Sequence, residues 1–137
     1  MKKPILILLG MMLLTACGQT TKETETTVET QTTQEAVYVN ITAEQAKEIM
    51  DTQKGYIILD TRAQEEYDES HIPGAIVIPH DEILEKAESV LTDKDQMILV
   101  YCRSGRRSKI AAEALVELGY TNIKEFGGII DWPYEVE

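Results

Sequence analysis

Histidine and cysteine are scarce in this chain. His71 and His80, Cys17 and Cys102 are all it has. No cluster of them has metal-ligand spacing, so no metal is expected. Neither histidine neighbours a cysteine in sequence, which leaves proton transfer of the Cys–His protease type poorly supported. The patterns G-x-x-x-x-G-K-[ST] and G-x-G-x-x-G are both missing, and no cofactor is expected. Positive charge is short as well. Thirteen Lys and Arg face 24 Asp and Glu, for a formal net charge of −11. Such a body argues against nucleic acid, whose phosphates need a basic footprint. It argues equally against broad electrostatic docking on anionic lipid. No apolar run reaches the roughly 20 residues that span a bilayer.

What is there begins with a short basic start, Lys2 and Lys3, and an almost wholly apolar stretch from Ile5 to Leu14. This fits a secretory core of about 7–15 residues with Ala16 at the cut. Leu14-Thr15-Ala16-Cys17 resembles the lipobox of bacterial lipoprotein signal peptides. The resemblance implies that residues 1–16 are removed and that Cys17 becomes a lipidated first residue. Its lipid would hold the chain to a membrane on the extracytoplasmic face, each buried CH₂ adding about 0.8 kcal/mol of affinity. The alternative is an ordinary cleaved signal or an uncleaved anchor.

Residues 18–36 follow, with eight Thr among 19 residues and Val28 as the one large apolar side chain. This stretch cannot bury enough apolar surface to offset its ordering entropy. A disordered tether over 17–36 is expected, with a reach of roughly 25 Å as a flexible coil. Residues 37–137 remain for folding, enough for one core.

Within 37–137, Thr42 and Gln45 have capping-box spacing. Ala43, Ala46, Ile49 and Met50 then give one apolar stripe, so a helix is expected to about Asp51. "YIILD" reads as a strand ending at Asp60, and "RAQEEYD" as one or two helical turns. Ala75 to Ile78 reads as a strand stopped by Pro79. "DEILEKAESVL" is helical, with Ile83, Leu84, Ala87, Val90 and Leu91 on one face. "QMILVY" is a continuous apolar strand. "SKIAAEALVELG" is a helix with Gly119 at its C′ position. "NIKEF" is a last short strand. Apolar strands without clean alternation, separated by helices, belong to a parallel sheet covered on both faces. The class is α/β. Ligands of such sheets bind beyond the carboxyl ends of the strands, and Cys102 stands at such an end.

The charge distribution points to the same place. Ten Lys and Arg and 20 Asp and Glu fall in residues 37–137, and four of those ten cations lie between Arg103 and Lys109. A basic cluster on an acidic body suggests a small anionic ligand. With Cys17 lipidated, Cys102 has no partner for an internal disulfide. It is then a candidate reactive thiol, or else a buried small hydrophobe. The helix expected to start near Ser108 turns unpaired N–H groups toward the preceding loop, and these favour an anion. Three arginines add to that. A thiolate in such surroundings has its pKa lowered, so Cys102 is expected to be substantially ionised near neutral pH. Thiolate chemistry on anions then means phosphate-ester cleavage or sulfur transfer.

"CRSGRR" and its flanks resemble the rhodanese-like domain (sulfurtransferase) family. Asp60-Thr61-Arg62, Glu66-Tyr67 and His71-Ile72-Pro73-Gly74-Ala75 match that family's "D-x-R … E-[FY] … G-H-I-P-G-A" run. Gly127-Gly128 and Trp132 match its closing "G-G … W". Ser70 departs from it, standing where Gly is usual, which puts a turn's dihedral freedom in question. The resemblance implies a single domain with a five-stranded parallel sheet between helices, and an active loop after the fourth strand. It implies that Cys102 attacks the outer sulfur of a donor such as thiosulfate. Cys102 then carries a persulfide and passes the sulfur to cyanide or a thiol. Arg103, Ser104, Gly105, Arg106 and Arg107 would bind the donor. Arg103 and Arg107 are the better placed for its charged end, and Arg106 is expected to face solvent. Loop N–H groups would stabilise the anionic sulfur. Asp60 and Arg62 are expected to pair beneath the loop, and His71 to fix its turn by hydrogen bonds.

Two alternatives stay open. A Cys-phosphatase loop reads C-x5-R-[ST], whereas here Arg107 comes one residue early and the cradle is tighter. That size suits one sulfur better than a tetrahedral phosphoryl group. The other alternative is a non-catalytic binding module on the same fold, which would need no thiol at position 102.

Overall fold

The computed structural model of the chain describes residues 37–137. The signal segment, Cys17 and the tether expected over 17–36 lie outside the described residues. The elements are β1 (Val39–Asn40), α1 (Ala43–Thr52), β2 (Tyr56–Asp60), α2 (Gln64–Glu69), β3 (Ile76–Val77), α3 (Ile83–Val90), β4 (Met97–Cys102), α4 (Arg106–Glu117) and β5 (Ile123–Gly128). Two single 3₁₀ turns, His80–Glu82 and Ile129–Asp131, precede α3 and follow β5. The five strands form one parallel sheet in the order β1-β5-β4-β2-β3. The α/β class and the five parallel strands are as expected.

The central strands are apolar throughout because both faces of the sheet are covered. Successive strand side chains point to opposite faces. Ile98 and Val100 of β4 join Leu59, Ile123 and the buried sides of α3 and α4 in one core. Leu99 and Tyr101 join Ile58, Phe126, Trp132 and Ala46 of α1 in the other. Each fully buried Leu or Ile contributes about 1.5–3 kcal/mol relative to exposure.

Local signals set most of the ends. Thr42 caps α1 through its hydroxyl, and the Gln45 side chain returns the bond to the Thr42 N–H, the two distances being 3.2 and 2.9 Å. α4 closes in a Schellman motif, with Gly119 N–H on Val116 O and Tyr120 N–H on Leu115 O.

Three expectations change in detail. β1 was not legible: its two residues are exposed at the sheet edge and are held only by pairing with Lys124 and Glu125. β3 is half the expected length, since the Ala75 N–H bonds back to Ile72 O in the preceding turn. The α3 stripe is narrower than its sequence suggests. Ile83, Ala87 and Leu91 are buried in one row, but Leu84 and Val90 are 54% and 50% exposed. One row suffices where a helix lies along a sheet on a single contact line.

Candidate active site

β4 carries Cys102 as its last residue, and α4 starts four residues later. The turn between them depends on Gly105, the residue before α4, at φ 100°. L side chains rarely adopt that conformation. The turn folds the loop back so that the Gly105 N–H donates to Cys102 Sγ at 3.0 Å. Burial pushes the Cys102 thiol pKa up. The Ser108 hydroxyl and the N–H groups of Ser108, Gly105 and Ser104 pull it down, and they prevail, so it lies below the ordinary value. Ser108 and the loop amides therefore lead in lowering the thiol pKa, and Arg107, expected to share that role, adds a weaker attraction. Cys102 is 1% exposed, while Arg103, Ser104 and Arg106 above it are exposed.

The neighbouring strand is shaped to accept this loop. Val100 pairs with Glu125 but Cys102 pairs with Gly128, so β5 spends one more residue than β4 over the same span. Such a bulge bends a strand and re-aims its side chains. It brings Gly128 under the loop. A Cβ there would sit 2.0 Å from Arg103 O and 2.6 Å from Ser104 Cα, so only glycine fits. The Arg103 carbonyl accepts the Ile130 N–H at 3.2 Å. The Gly127-Gly128 pair noted in the sequence is thus the floor of the Cys102 loop.

The three arginines separate. Arg107 Nη1 and Nη2 donate to Glu66 Oε2 and Oε1 at 2.6 and 2.9 Å. Glu66 also accepts the Ala63 N–H at the start of α2. The Arg107 bond holds the Glu66 carboxyl at about 2, well below its usual range. Arg107 was expected to take the donor's charged end. Its fork is instead engaged by a carboxylate, because α2 sets Glu66 directly opposite it. Among the described residues neither Arg103 nor Arg106 forms an ion pair. Those two supply the uncompensated charge at the loop.

Asp60 and Arg62 pair as expected, and they do so in the interior. Arg62 Nη2 donates to Asp60 Oδ2 at 2.6 Å and to Ser70 O at 2.7 Å. Asp60 Oδ2 also accepts from the Tyr101 hydroxyl at 2.7 Å, and that hydroxyl accepts the Ile72 N–H at 3.1 Å. Burial, then the Asp60 bond, pushes the Tyr101 phenol up. Thr61 donates both its N–H and its hydroxyl to Tyr101 O, one residue from the cysteine. Ser70 has φ −171°, extended backbone open to any residue, so its replacement of glycine costs nothing here.

His71 lies away from the loop. It stacks on Tyr67, its Nδ1 is 2.9 Å from Tyr67 O, and its backbone exchanges two bonds with Glu137. It fixes the turn and the chain end rather than the cysteine.

Sequence reading missed Ser108 and Glu125. Ser108 was read as the start of the helix after the loop and given no role. Glu125 lies in a short strand of mostly buried residues and is 3% exposed. A carboxylate in such a strand was the available signal.

A cavity of about 750 Å³ is elsewhere. It lies between α1 and the chain end, against Lys47, Tyr56, Ile72, Trp132 and Tyr134, and includes no loop residue. Its one cation, Lys47, is paired with Asp51. Converging donors, not volume, mark the site.

A strand-end cysteine in a six-residue amide cradle on a five-stranded parallel sheet defines the class. The rhodanese-like domain family matches residues 42–133, and the chain belongs to it. The chain is 41% identical over 73 residues to the thiosulfate sulfurtransferase PspE of Escherichia coli (strain K12), covering 53% of this chain and 70% of that one. It is 37% identical over 98 residues to the putative sulfur carrier protein YrkF of Bacillus subtilis (strain 168), covering 71% of this chain and 52% of that relative, about half its length. The solved rhodanese with anions from E. coli superposes with a TM-score of 0.56 at 36% identity, over 60% of this chain and 96% of that one.

Proposed function

We propose that the chain is a sulfurtransferase that moves a sulfane sulfur from a small anionic donor to a thiophilic acceptor through a persulfide on Cys102. The observation that carries this is the cradle itself: the Gly105 N–H donates to the buried Cys102 sulfur at 3.0 Å, in a loop closed by Arg107. With thiosulfate as donor, the Cys102 thiolate attacks the outer sulfur. The S–S bond of the donor breaks, sulfite leaves with the electron pair, and Cys102 holds the persulfide anion. Cyanide or a thiolate acceptor then attacks the outer sulfur of the persulfide. Cys102 departs as the thiolate, and no general base is needed in either half. The cradle stabilises the anionic sulfur as charge develops. Arg103 and Arg106 attract the donor, and Arg107, held by Glu66, fixes the loop.

The Leu14-Thr15-Ala16-Cys17 sequence supports a lipid anchor on Cys17 and a position on the extracytoplasmic face of a membrane. There the donor could be thiosulfate, a polysulfide or a protein persulfide. Intact mass of the membrane-extracted protein tests the anchor; a chain with unmodified Cys17 overturns it.

The chemistry is tested by incubating the chain with thiosulfate and measuring its mass. A gain of one sulfur atom on the Cys102 peptide, absent in Cys102→Ser, is expected. Phosphate release from an aryl phosphate would instead establish a phosphatase. Neither result would leave a binding module.

A further inference from the structure

Glu125 is buried one strand away from the cysteine, and the sulfur-transfer scheme makes no use of it. Among the described residues it forms no ion pair. A buried carboxylate without a counterion is costly unless hydrogen bonds satisfy it. Two do, and both reach the same atom. The Ser108 hydroxyl donates to Glu125 Oε1 at 2.6 Å, and the Gly127 N–H donates to it at 2.9 Å. These donors belong to two different walls of the Cys102 loop. Ser108 lies in the first turn of α4, where the loop ends. Gly127 lies in the bulge of β5, beside the Gly128 floor, at φ 89°. Gly105 stands between them. A Cβ on Gly105 would be 3.5 Å from Gly127 Cα and 3.9 Å from Glu125 Oε1. The Gly105 N–H donates to Cys102 Sγ at 3.0 Å.

We propose that Glu125 is a positioning residue for the reaction at Cys102: one carboxylate oxygen clips the first turn of α4 to the bulge of β5, and so holds the Gly105 N–H on the sulfur. This deepens the reading of Cys102 as the attacking sulfur and rests on it. A donor aimed at a reacting atom lowers the barrier most when it need not move as charge shifts there. The donor here is held from two sides. β4 ends in Cys102 itself, and Gly105 leads directly into α4. What remains free is the placing of α4 against β5, and Glu125 fixes it through a hydroxyl 17 residues back and an N–H two residues ahead. The bulge makes this possible, since Glu125 pairs with Val100 while Gly128 pairs with Cys102. Glu125 takes no bond from Arg103 or Arg106, so both stay available to the incoming sulfur compound.

The test has two readouts on the full chain: the rate of persulfide formation from thiosulfate, per folded molecule, and hydrogen exchange at the Gly105 amide. Glu125→Leu removes the acceptor at similar volume. It is expected to slow persulfide formation on the order of 10²-fold, the scale of a displaced reacting group, with the half-saturating thiosulfate concentration unchanged. It is also expected to speed Gly105 exchange by about tenfold or more through local opening, while exchange in β4 stays as it was. Glu125→Gln keeps an acceptor oxygen in place and is expected to restore most of both readouts. Ser108→Ala cuts one arm of the clip and is expected to give a smaller loss, which adds little in the Glu125→Leu background. A parental rate in Glu125→Leu overturns the proposal. So does a Glu125→Gln as slow as Glu125→Leu, since the carboxylate would then act by its charge. A slowed rate with parental Gly105 exchange is equally fatal, since the donor would not have moved. If Glu125→Leu does not fold, Ser108→Ala opens the clip from its other end, and parental rate and exchange there overturn the proposal as well. Amide exchange needs no sulfur transfer. A parent that gains no sulfur from thiosulfate, with Gly105 exchange quickened in Glu125→Leu and restored in Glu125→Gln, would therefore sink the transfer reading and leave the clip standing.

Discussion

Two buried polar groupings stand side by side at the carboxyl ends of β2 and β4, and they are built in opposite ways. The Asp60–Arg62–Tyr101 grouping closes on itself. Its bonds run within the grouping or to a nearby backbone carbonyl, as when Arg62 reaches Ser70 O. The Cys102 cradle converges: the loop turns its N–H groups toward a single sulfur, with the Gly105 N–H at 3.0 Å. A closed network has no capacity left for a ligand and serves as scaffold. A convergent one keeps its donors aimed where charge can grow. Burial is common to both, so burial alone does not tell site from scaffold; the direction of the hydrogen bonds does.

The sharpest way to break this contrast is to open the closed network. Asp60→Ala would leave the Arg62 guanidinium buried without its carboxylate. Losing one member of a buried pair costs about 3–5 kcal/mol. Urea unfolding should show that loss, and a change below 1 kcal/mol would mean that the network is not the scaffold described.

Gly128→Ala attacks the cradle from below. The new methyl group meets loop backbone, so the loop must move while the distant core is untouched. A displacement of about 1 Å at reacting groups can cost on the order of 10²-fold in rate. Persulfide formation should fall by about that factor, and the unfolding midpoint should drop with it, because the clash is with backbone.

Glu66→Gln probes the strut between α2 and the loop. At pH 7 it should cost about 1 kcal/mol, the scale of a partly exposed ion pair. The folded Glu66 carboxyl lies near 2, below its ordinary 4.5. Its stabilisation is therefore complete above the ordinary value and lost as pH falls through about 2. Unfolding curves of the parent and Glu66→Gln should converge over that interval; a constant gap would assign the effect to packing.

The smallest effect belongs to Arg103. Its guanidinium is exposed and without an ion pair among the described residues, so Arg103→Ala should raise the donor KM by about two- to fivefold. The increase should shrink at high salt, where exposed charges are screened.

Much of this arrangement was legible in the residues. The capping box at Thr42, the apolar runs of β2 and β4, and the Gly119 stop of α4 are local signals, and local physics honours them. The position of Cys102 after an apolar strand and before a helix was equally plain, as was the Asp60–Arg62 pair, two residues apart. What was not legible involved choices between distant partners. Leu84 and Val90 look like core in a helical projection, yet only the neighbouring sheet decides how wide a stripe is covered. Arg107 reads as a free cation until α2 brings Glu66 to it from 41 residues away. Glu125 reads as an ordinary strand charge until the bulge in β5 turns it onto Ser108, 17 residues back.

By itself, then, the order of residues determined the kinds of elements, their caps, and the composition of the loop around one thiol. Those depend on contacts within a few positions along the chain, where spacing is information. Only the packed sheet decided which cation is compensated and which carboxylate is buried. Those outcomes depend on strand register and on a one-residue bulge, and neither leaves a periodic trace in the chain that forms it.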